Sequence, residues 1–249
     1  MNQANKQAAK VALITGAARR IGAAIACQLH QAGFRVLIHC HHSLVEAQQL
    51  AETLNQQRLQ SAQVLQQDLC AANASNLLID ATLAFGGRLD VLVNNASIFE
   101  RTNFSRFNET NWDNLFAANV RAPFLLSLAA RPHLAMQEGV IVNITDIHAE
   151  KPLKGYAEYC QSKAALVMQT KALAREFAPE IRVNAVAPGA IVWPEHANLV
   201  SKEEQAEIIA KTPLKRKGQP QYIAQAVVAL VENTFITGQI LKVDGGRSI

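Results

Sequence analysis

Tyr159 and Lys163 are spaced so that a phenol and an ammonium share one face of a helix, and Asp146 ends the apolar run that precedes them. Side chains four residues apart on a helix lie one above the other, so the cation can approach the phenol. A positive charge there favours the phenolate and pulls the phenol below its reference pKa of about 10, which eases proton transfer near neutral pH. Spacing alone leaves an amphipathic surface pair as the alternative. Asp146, expected where its strand meets a ligand crevice, favours a proton-handling site.

A second group points to phosphate. The run TGAARRIG, Thr15 to Gly22, follows the apolar stretch Val11–Ile14 and opens the Ala-rich stretch Ile21–Ala32, so it reads as strand, tight turn and helix. Such a turn aims backbone N–H groups and the positive end of a helix at one spot, which suits a diphosphate, and Gly16 and Gly22 let the chain come close. A tight turn in any α/β protein is the alternative. Arg19 and Arg20 favour the phosphate site, since adjacent cations there become partners for anionic oxygens.

These residues need a scaffold, and the chain alternates short β-like runs with longer helical patterns. Candidate strands are Val11–Ile14, Phe34–His39, Gln63–Gln66, Asp90–Val93, Val140–Ile144, Arg182–Ala187 and Ile240–Val243. Helices are expected near 21–32, 44–57, 74–85, 109–130, 156–177, 202–211 and 220–232. Nearly continuous apolar strands separated by helices predict an α/β fold, a doubly wound parallel sheet of about seven strands with helices on both faces. Its ligand crevice lies beyond the carboxyl ends of the strands. That rule selects Gly16–Gly22, His39–Ser43, Asp68, Asn94–Phe99, Thr145–Asp146 and Pro188–Trp193. The least regular long connection, about 188–218, is expected to be a mobile substrate loop.

Composition bounds the function. A chain of 249 residues with 49% hydrophobic content can bury one substantial core, so residues 1–249 are read as a single domain. The formal charge of +4 is spread along the chain, and its densest cationic run, Lys215–Lys217, has no interleaved aromatics, so nucleic acid is not implied. Cys27, Cys40, Cys70 and Cys160 form no CxxC pair and read as packed thiols, which fits a reducing cytoplasm. The first ten residues are polar, and no apolar run approaches about 18 residues, so neither a signal segment nor a membrane span is expected.

Taken in order, TGAARRIG, VLVNNAS at Val91–Ser97, Asn119, Tyr159 with Lys163, VNAVAPGAI at Val183–Ile191 and VDGG at Val243–Gly246 resemble the short-chain dehydrogenase/reductase family over essentially the whole chain. The resemblance implies a Rossmann-type sheet. Most members carry Ser where Asp146 stands. Thr145, one place earlier, is a poor substitute because neighbours on a strand face opposite ways. Asp at this position, the double basic pair Arg19–Arg20, the continuation NNASIF to Phe99 and the stretch Lys151–Leu166 are similar to the pteridine reductase branch.

That resemblance implies roles for individual residues. Asp146, Tyr159 and Lys163 form the catalytic group, with Asn119 completing a proton relay. Phe99 stacks on a pterin, a flat polar heterocycle that wants one aromatic face and a few directed polar groups. Ser97 and Arg20 hold the pterin and cofactor phosphates. The cofactor set is Gly16, Arg19, Arg20, Ile21, Gly22, His41, His42, Ser43, Asp68, Leu69, Asn95, Ala96, Ser97, Tyr159, Lys163, Pro188 and Gly189, with Asn94 also lining the cofactor. The segment His39–Ser43 lacks the acid that binds the adenosine ribose hydroxyls of NAD, and Arg19, His42 and Ser43 can donate to a 2′-phosphate, so NADPH is expected. A metal is not expected at these histidines, because adjacent positions on an extended segment alternate faces and no carboxylate completes a set.

The expected reaction is NADPH-dependent reduction of an oxidised or dihydro pterin, with dihydrofolate a further candidate, and the proton supplied through Tyr159. Two alternatives stand beside it: reduction of another carbonyl, such as a 3-oxoacyl thioester, and a non-catalytic NADP-binding sensor. The family resemblance further implies a homotetramer through the helices read at 109–130 and 156–177.

Overall fold

The structure, a computed structural model, describes residues 9–194 and 199–249. The polar amino-terminal segment through residue 8, and residues 195–198 of the expected substrate loop, lie outside the described residues.

All seven expected strands form, as β1 (Val11–Ile14), β2 (Arg35–Cys40), β3 (Ala62–Gln66), β4 (Val91–Asn94), β5 (Val140–Ile144), β6 (Arg182–Pro188) and β7 (Ile240–Val243). They make one sheet in the order β3-β2-β1-β4-β5-β6-β7. Every pairing is parallel; Ala12, for instance, stands opposite Val36 on one side and Val91 on the other. The order reverses between β1 and β4, which sets the ligand crevice at their carboxyl ends.

The sheet is apolar on both faces because its residues alternate sides. Ala12 and Ile14 of β1 join one core with Val91, Val93, Val140 and Val142. Leu13, between them, joins the opposite core with Leu37, Leu92, Ile141 and Val183. Helices α1 (Arg20–Gln31), α2 (Leu44–Gln57) and α8 (Pro220–Glu232) cover the first face. Helices α3 (Ala74–Gly86), α5 (Ala122–Ala135) and α6 (Ala157–Glu176) cover the second. Among the described residues, no helix is long and apolar enough to cross a membrane.

One expected helix is divided. Where a single helix was read over 109–130, α4 (Glu109–Phe116) runs into a π-helical turn at Ala117–Arg121 and then into α5. Pro123 has no N–H to donate to the Asn119 carbonyl four residues back, and Ala122 N–H instead reaches the carbonyl of Ala117, five back. The widened turn carries Asn119, buried, toward α6. The helix α7 (Lys202–Ala210) opens with a reciprocal cap between Ser201 and Glu204.

The turn after β1 depends on a missing side chain. A Cβ on Gly22 would sit 2.2 Å from the Gly16 carbonyl oxygen and 2.6 Å from Asn95 Nδ2. Gly22→Ala is therefore expected to destabilise the fold by about 1–3 kcal/mol in urea unfolding, since the obstacle is backbone that must shift. Unchanged stability would show that the turn is not held as tightly as these distances imply.

Candidate active site

The turn after β1 is fastened to the residues that follow β4. The Thr15 hydroxyl accepts the backbone N–H groups of Asn95 at 2.9 Å and Ala96 at 3.0 Å. Asn95 returns its side-chain amide to the carbonyls of Thr15 at 2.8 Å and Gly16 at 2.9 Å. Gly16 itself has φ +61° and lies so near the β4 loop that a Cβ would meet Ala96 Cα at 2.9 Å. No side chain caps the first turn of α1. Its leading N–H groups suit the diphosphate of a dinucleotide, while the missing side chains at Gly16 and Gly22 let the turn pack on itself and on the loop after β4.

The two arginines diverge. Arg20, at φ +55°, donates from Nη2 to the Trp193 carbonyl at 2.8 Å, spanning from the glycine turn to the segment after β6. Arg19 instead turns to Glu46 in the first turn of α2, at 3.6 Å in an exposed pair. The imidazoles of His41 and His42 stack with centroids 3.6 Å apart, so these neighbours do not alternate faces as expected of an extended segment. They lie beyond the end of β2, where the chain bends. Ser43 is the N-cap residue of α2, without a side-chain cap bond. Asp68 accepts the Cys70 N–H at 2.9 Å, shaping the loop that carries Leu69. Across the crevice Gly189 N–H is taken by the Val243 carbonyl at 3.1 Å, which closes β6 against β7 next to Pro188.

Asp146, Tyr159 and Lys163 do come together. Tyr159 donates its hydroxyl proton to Asp146 Oδ2 at 2.8 Å, while Asp146 Oδ1 accepts the His148 N–H at 2.8 Å as the cap of a short 3-10 turn. Lys163 donates from Nζ to the Ile144 carbonyl at 3.0 Å and lies 5.7 Å from the centre of the Tyr159 ring. Thr145 faces away, its hydroxyl on the Val186 carbonyl at 3.1 Å. Asn119 fastens the site from below: Nδ2 donates to Ser162 Oγ at 3.0 Å and to the Ile98 carbonyl at 2.9 Å, and Oδ1 accepts Ile98 N–H at 2.8 Å.

The electrostatics reverse one expectation. The phenol of Tyr159 is not made more acidic: burial, then the neighbouring Asp146 carboxylate, raise its pKa well above 10. Lys163 yields to the same burial, its pKa falling from 10.5 to about 8 despite the opposing pull of Asp146. Desolvation outweighs the cation–phenol attraction because the ammonium sits past the ring, bonded to backbone, instead of against the hydroxyl. The site therefore keeps a protonated phenol beside a carboxylate, with a cation still charged at neutral pH.

Phe99 stands beside this group. Its ring stacks on Tyr156 with centroids 4.4 Å apart and meets Tyr159 edge-on at 4.7 Å. The Arg101 guanidinium lies 5.1 Å over the Tyr156 ring, extending the stack outward. Ser97, exposed, turns its hydroxyl to the Ile98 carbonyl at 3.3 Å. Asn94 corrects the sequence reading: buried below the crevice, it donates to Asn143 Oδ1 at 2.8 Å and Ser127 Oγ at 3.3 Å and does not line the cofactor groove. Sequence reasoning passed over Tyr156, and it selected the buried His39 only as the first residue of the segment His39–Ser43, with no role of its own.

Comparison with known proteins finds reductases similar to this chain over nearly its whole length. A family model described as enoyl-(acyl carrier protein) reductase matches residues 16–248. Pteridine reductase 1 of Leishmania tarentolae is 36% identical over 283 aligned positions, covering 97% of each chain. A putative ketoacyl reductase of the granaticin polyketide synthase of Streptomyces violaceoruber is 35% identical over 246, again 97% of each. The 3-oxoacyl-(acyl-carrier-protein) reductase of Staphylococcus aureus is 34% identical over 241, covering 95% of this chain and 97% of its own.

The buried ammonium has a measurable signature. Native Lys163 releases its proton near pH 8 and the unfolded one near 10.5, so between these values the unfolded chain binds more protons and stability rises with pH. Relative to Lys163→Met, the wild-type chain is expected to gain up to about 3 kcal/mol of urea stability across that window. A difference that does not vary with pH would remove the depressed pKa.

Proposed function

The chain belongs to the short-chain dehydrogenase/reductase family, and from that premise we propose that this oxidoreductase reduces an oxidised or dihydro pterin at the expense of NADPH. The observation that carries the reading is the 2.8 Å bond from the Tyr159 hydroxyl to the Asp146 carboxylate. A carboxylate at that place can accept the ring N–H or amino protons of a nitrogen heterocycle, a task a simple ketone does not require. Phe99, stacked on Tyr156 and edge-on to Tyr159, supplies aromatic surface for a flat ring.

In this proposal Gly16, Arg20, Ile21 and Gly22 hold the diphosphate, and Arg19, His42 and Ser43, with His41 beside them, face the 2′-phosphate. The exposed Arg19–Glu46 pair is worth about 0–1 kcal/mol, so a phosphate can draw Arg19 away. Asp68 and Leu69 flank the adenine. Asn95, Ala96, Ser97, Pro188 and Gly189 border the nicotinamide half, with Asn95 acting through the turn it fastens. The bound dinucleotide supplies hydride. Tyr159 gives its proton to the ring nitrogen next to the reduced carbon, and the raised phenol pKa keeps that proton in place until it is needed. Lys163, held on the Ile144 carbonyl and 5.7 Å from the centre of the Tyr159 ring, keeps a positive charge beside the site and takes the nicotinamide ribose. Asp146 orients the phenol by accepting its hydroxyl and, after taking a proton from solvent water, returns it to the phenolate; Asn119 holds Ile98 and Ser162 around this group.

The competing reading is a 3-oxoacyl thioester substrate, supported by the relatives named for ketoacyl and 3-oxoacyl reduction. A panel of dihydropterins, dihydrofolate and a 3-oxoacyl thioester, each with NADPH and NADH, decides between them. Pterin turnover exceeding thioester turnover by at least about tenfold is expected; the reverse order overturns the assignment. Tyr159→Phe is expected to lower turnover by about 10² to 10⁴ with NADPH affinity kept, and unchanged turnover would remove the tyrosine from the chemistry.

Three further copies of the chain complete the assembly in this proposal. Phe116, Val120, Phe124 and Leu173 line an open groove between the α4–α5 segment and α6, and Leu125, Leu128 and Met168 are exposed on the same helices. Light scattering is expected to give about four times the 27.1 kDa chain mass. A 27.1 kDa particle would contradict it.

A further inference from the structure

We propose that His39 is a positioning residue for the dinucleotide, a neutral imidazole that ties the glycine turn after β1 to the loop after β3 and so fixes the diphosphate end of the groove relative to its adenine end. The proposal rests on the reading of those two segments as the cofactor site.

The ring stands at the carboxyl end of β2, between the two loops, and is only 1% exposed. Its Nδ1 accepts the Gly16 N–H at 3.1 Å, and its Nε2 donates to the Gln67 carbonyl at 2.9 Å. An acceptor at Nδ1 and a donor at Nε2 specify one tautomer of the uncharged ring. Burial agrees, holding the group near pKa 4 against the weaker opposing effects of the Gln67 bond and Asp68.

The partners give the ring a task beyond filling the core. Gly16 carries the positive φ on which the turn depends, and its neighbour Ala17 donates its N–H to the His39 carbonyl at 2.8 Å. Gln67 leads into Asp68: its N–H bonds the Cys40 carbonyl at 3.0 Å, and its side-chain amide bonds the Asp68 carbonyl at 3.2 Å. One rigid side chain thus spans both loops, each of which ends its own strand, and no other side-chain bond among the described residues joins Gly16 to Gln67. An apolar residue here would leave the Gly16 N–H without its acceptor, and the turn would be free to relax.

Three substitutions separate the two bonds. Asn sets its amide oxygen near the place of Nδ1 and can keep the Gly16 bond; Gln sets its amide NH₂ near Nε2 and can keep the Gln67 bond; Leu keeps neither. NADPH binding to wild type, His39→Asn, His39→Gln and His39→Leu is measured by fluorescence titration, with KM and kcat alongside and near-ultraviolet circular dichroism to establish folding. Leu is expected to raise Kd and KM for NADPH by about 10- to 100-fold with kcat within about threefold of wild type, and Asn to recover most of the loss. Should Leu fail to fold, weaker binding by Gln than by Asn carries the same conclusion.

Folded Leu and Asn variants that bind NADPH as wild type does would make the ring a packing residue only, and so would Gln binding as tightly as Asn. Wild-type protein that binds no NADPH or NADH would instead overturn the cofactor reading, and the role of His39 with it.

Discussion

A carboxylate on the last turn of one strand and a phenol on the next helix share a proton across 2.8 Å, and the surrounding architecture is arranged to keep them there. Asp146 has one oxygen committed to backbone and one to Tyr159, so neither can rotate without losing a bond. Both Tyr159 and Lys163 are almost wholly removed from water, which pushes the phenol up and the ammonium down. At neutral pH both groups still keep their protons, so an uncharged acid and a supporting cation stand side by side.

Holding such a group in an apolar core requires polar partners beneath it. Asn119 and Ser162 link the π-helical turn to α6, and the Ser162 hydroxyl donates to the Tyr159 carbonyl at 2.8 Å. One layer lower, Asn94, Asn143 and Thr170 join β4, β5 and α6 through bonds of 2.8 and 2.9 Å. These buried amides are satisfied by one another, so they fix the helix on the sheet without leaving unpaired groups. Of the strands that carry this network, β4 runs on into Asn95 and Ala96, which fasten the glycine turn, and the cofactor groove and proton group thereby share one frame.

Much of the fold was legible because parallel strands buried on both faces read as unbroken apolar runs, as Val11–Ile14 and Val140–Ile144 do, and because a glycine turn between strand and helix has few other uses. The union of Asp146, Tyr159 and Lys163 was legible from helical spacing and the strand-end rule. The sense of the Tyr159 shift was not, since spacing reports which charges are neighbours and says nothing of how much water is excluded. Asn94 was misplaced for a related reason: the end of a strand offers one side chain to the crevice and the next to the core. The break at Ala117–Arg121 had a sequence signal in Pro123, whose missing N–H falls four residues after Asn119. His39 had none beyond its place at the end of β2, because its partners are backbone groups that no residue type announces.

Steady-state reduction of a dihydropterin by Asp146→Asn tests the central claim most directly. The amide keeps an oxygen for the His148 N–H but presents N–H₂ where the phenol finds its acceptor, so the capping turn survives and the proton-sharing bond does not. The account predicts turnover lower by about 10² to 10⁴ with NADPH affinity unchanged. Turnover within about threefold of wild type would contradict it.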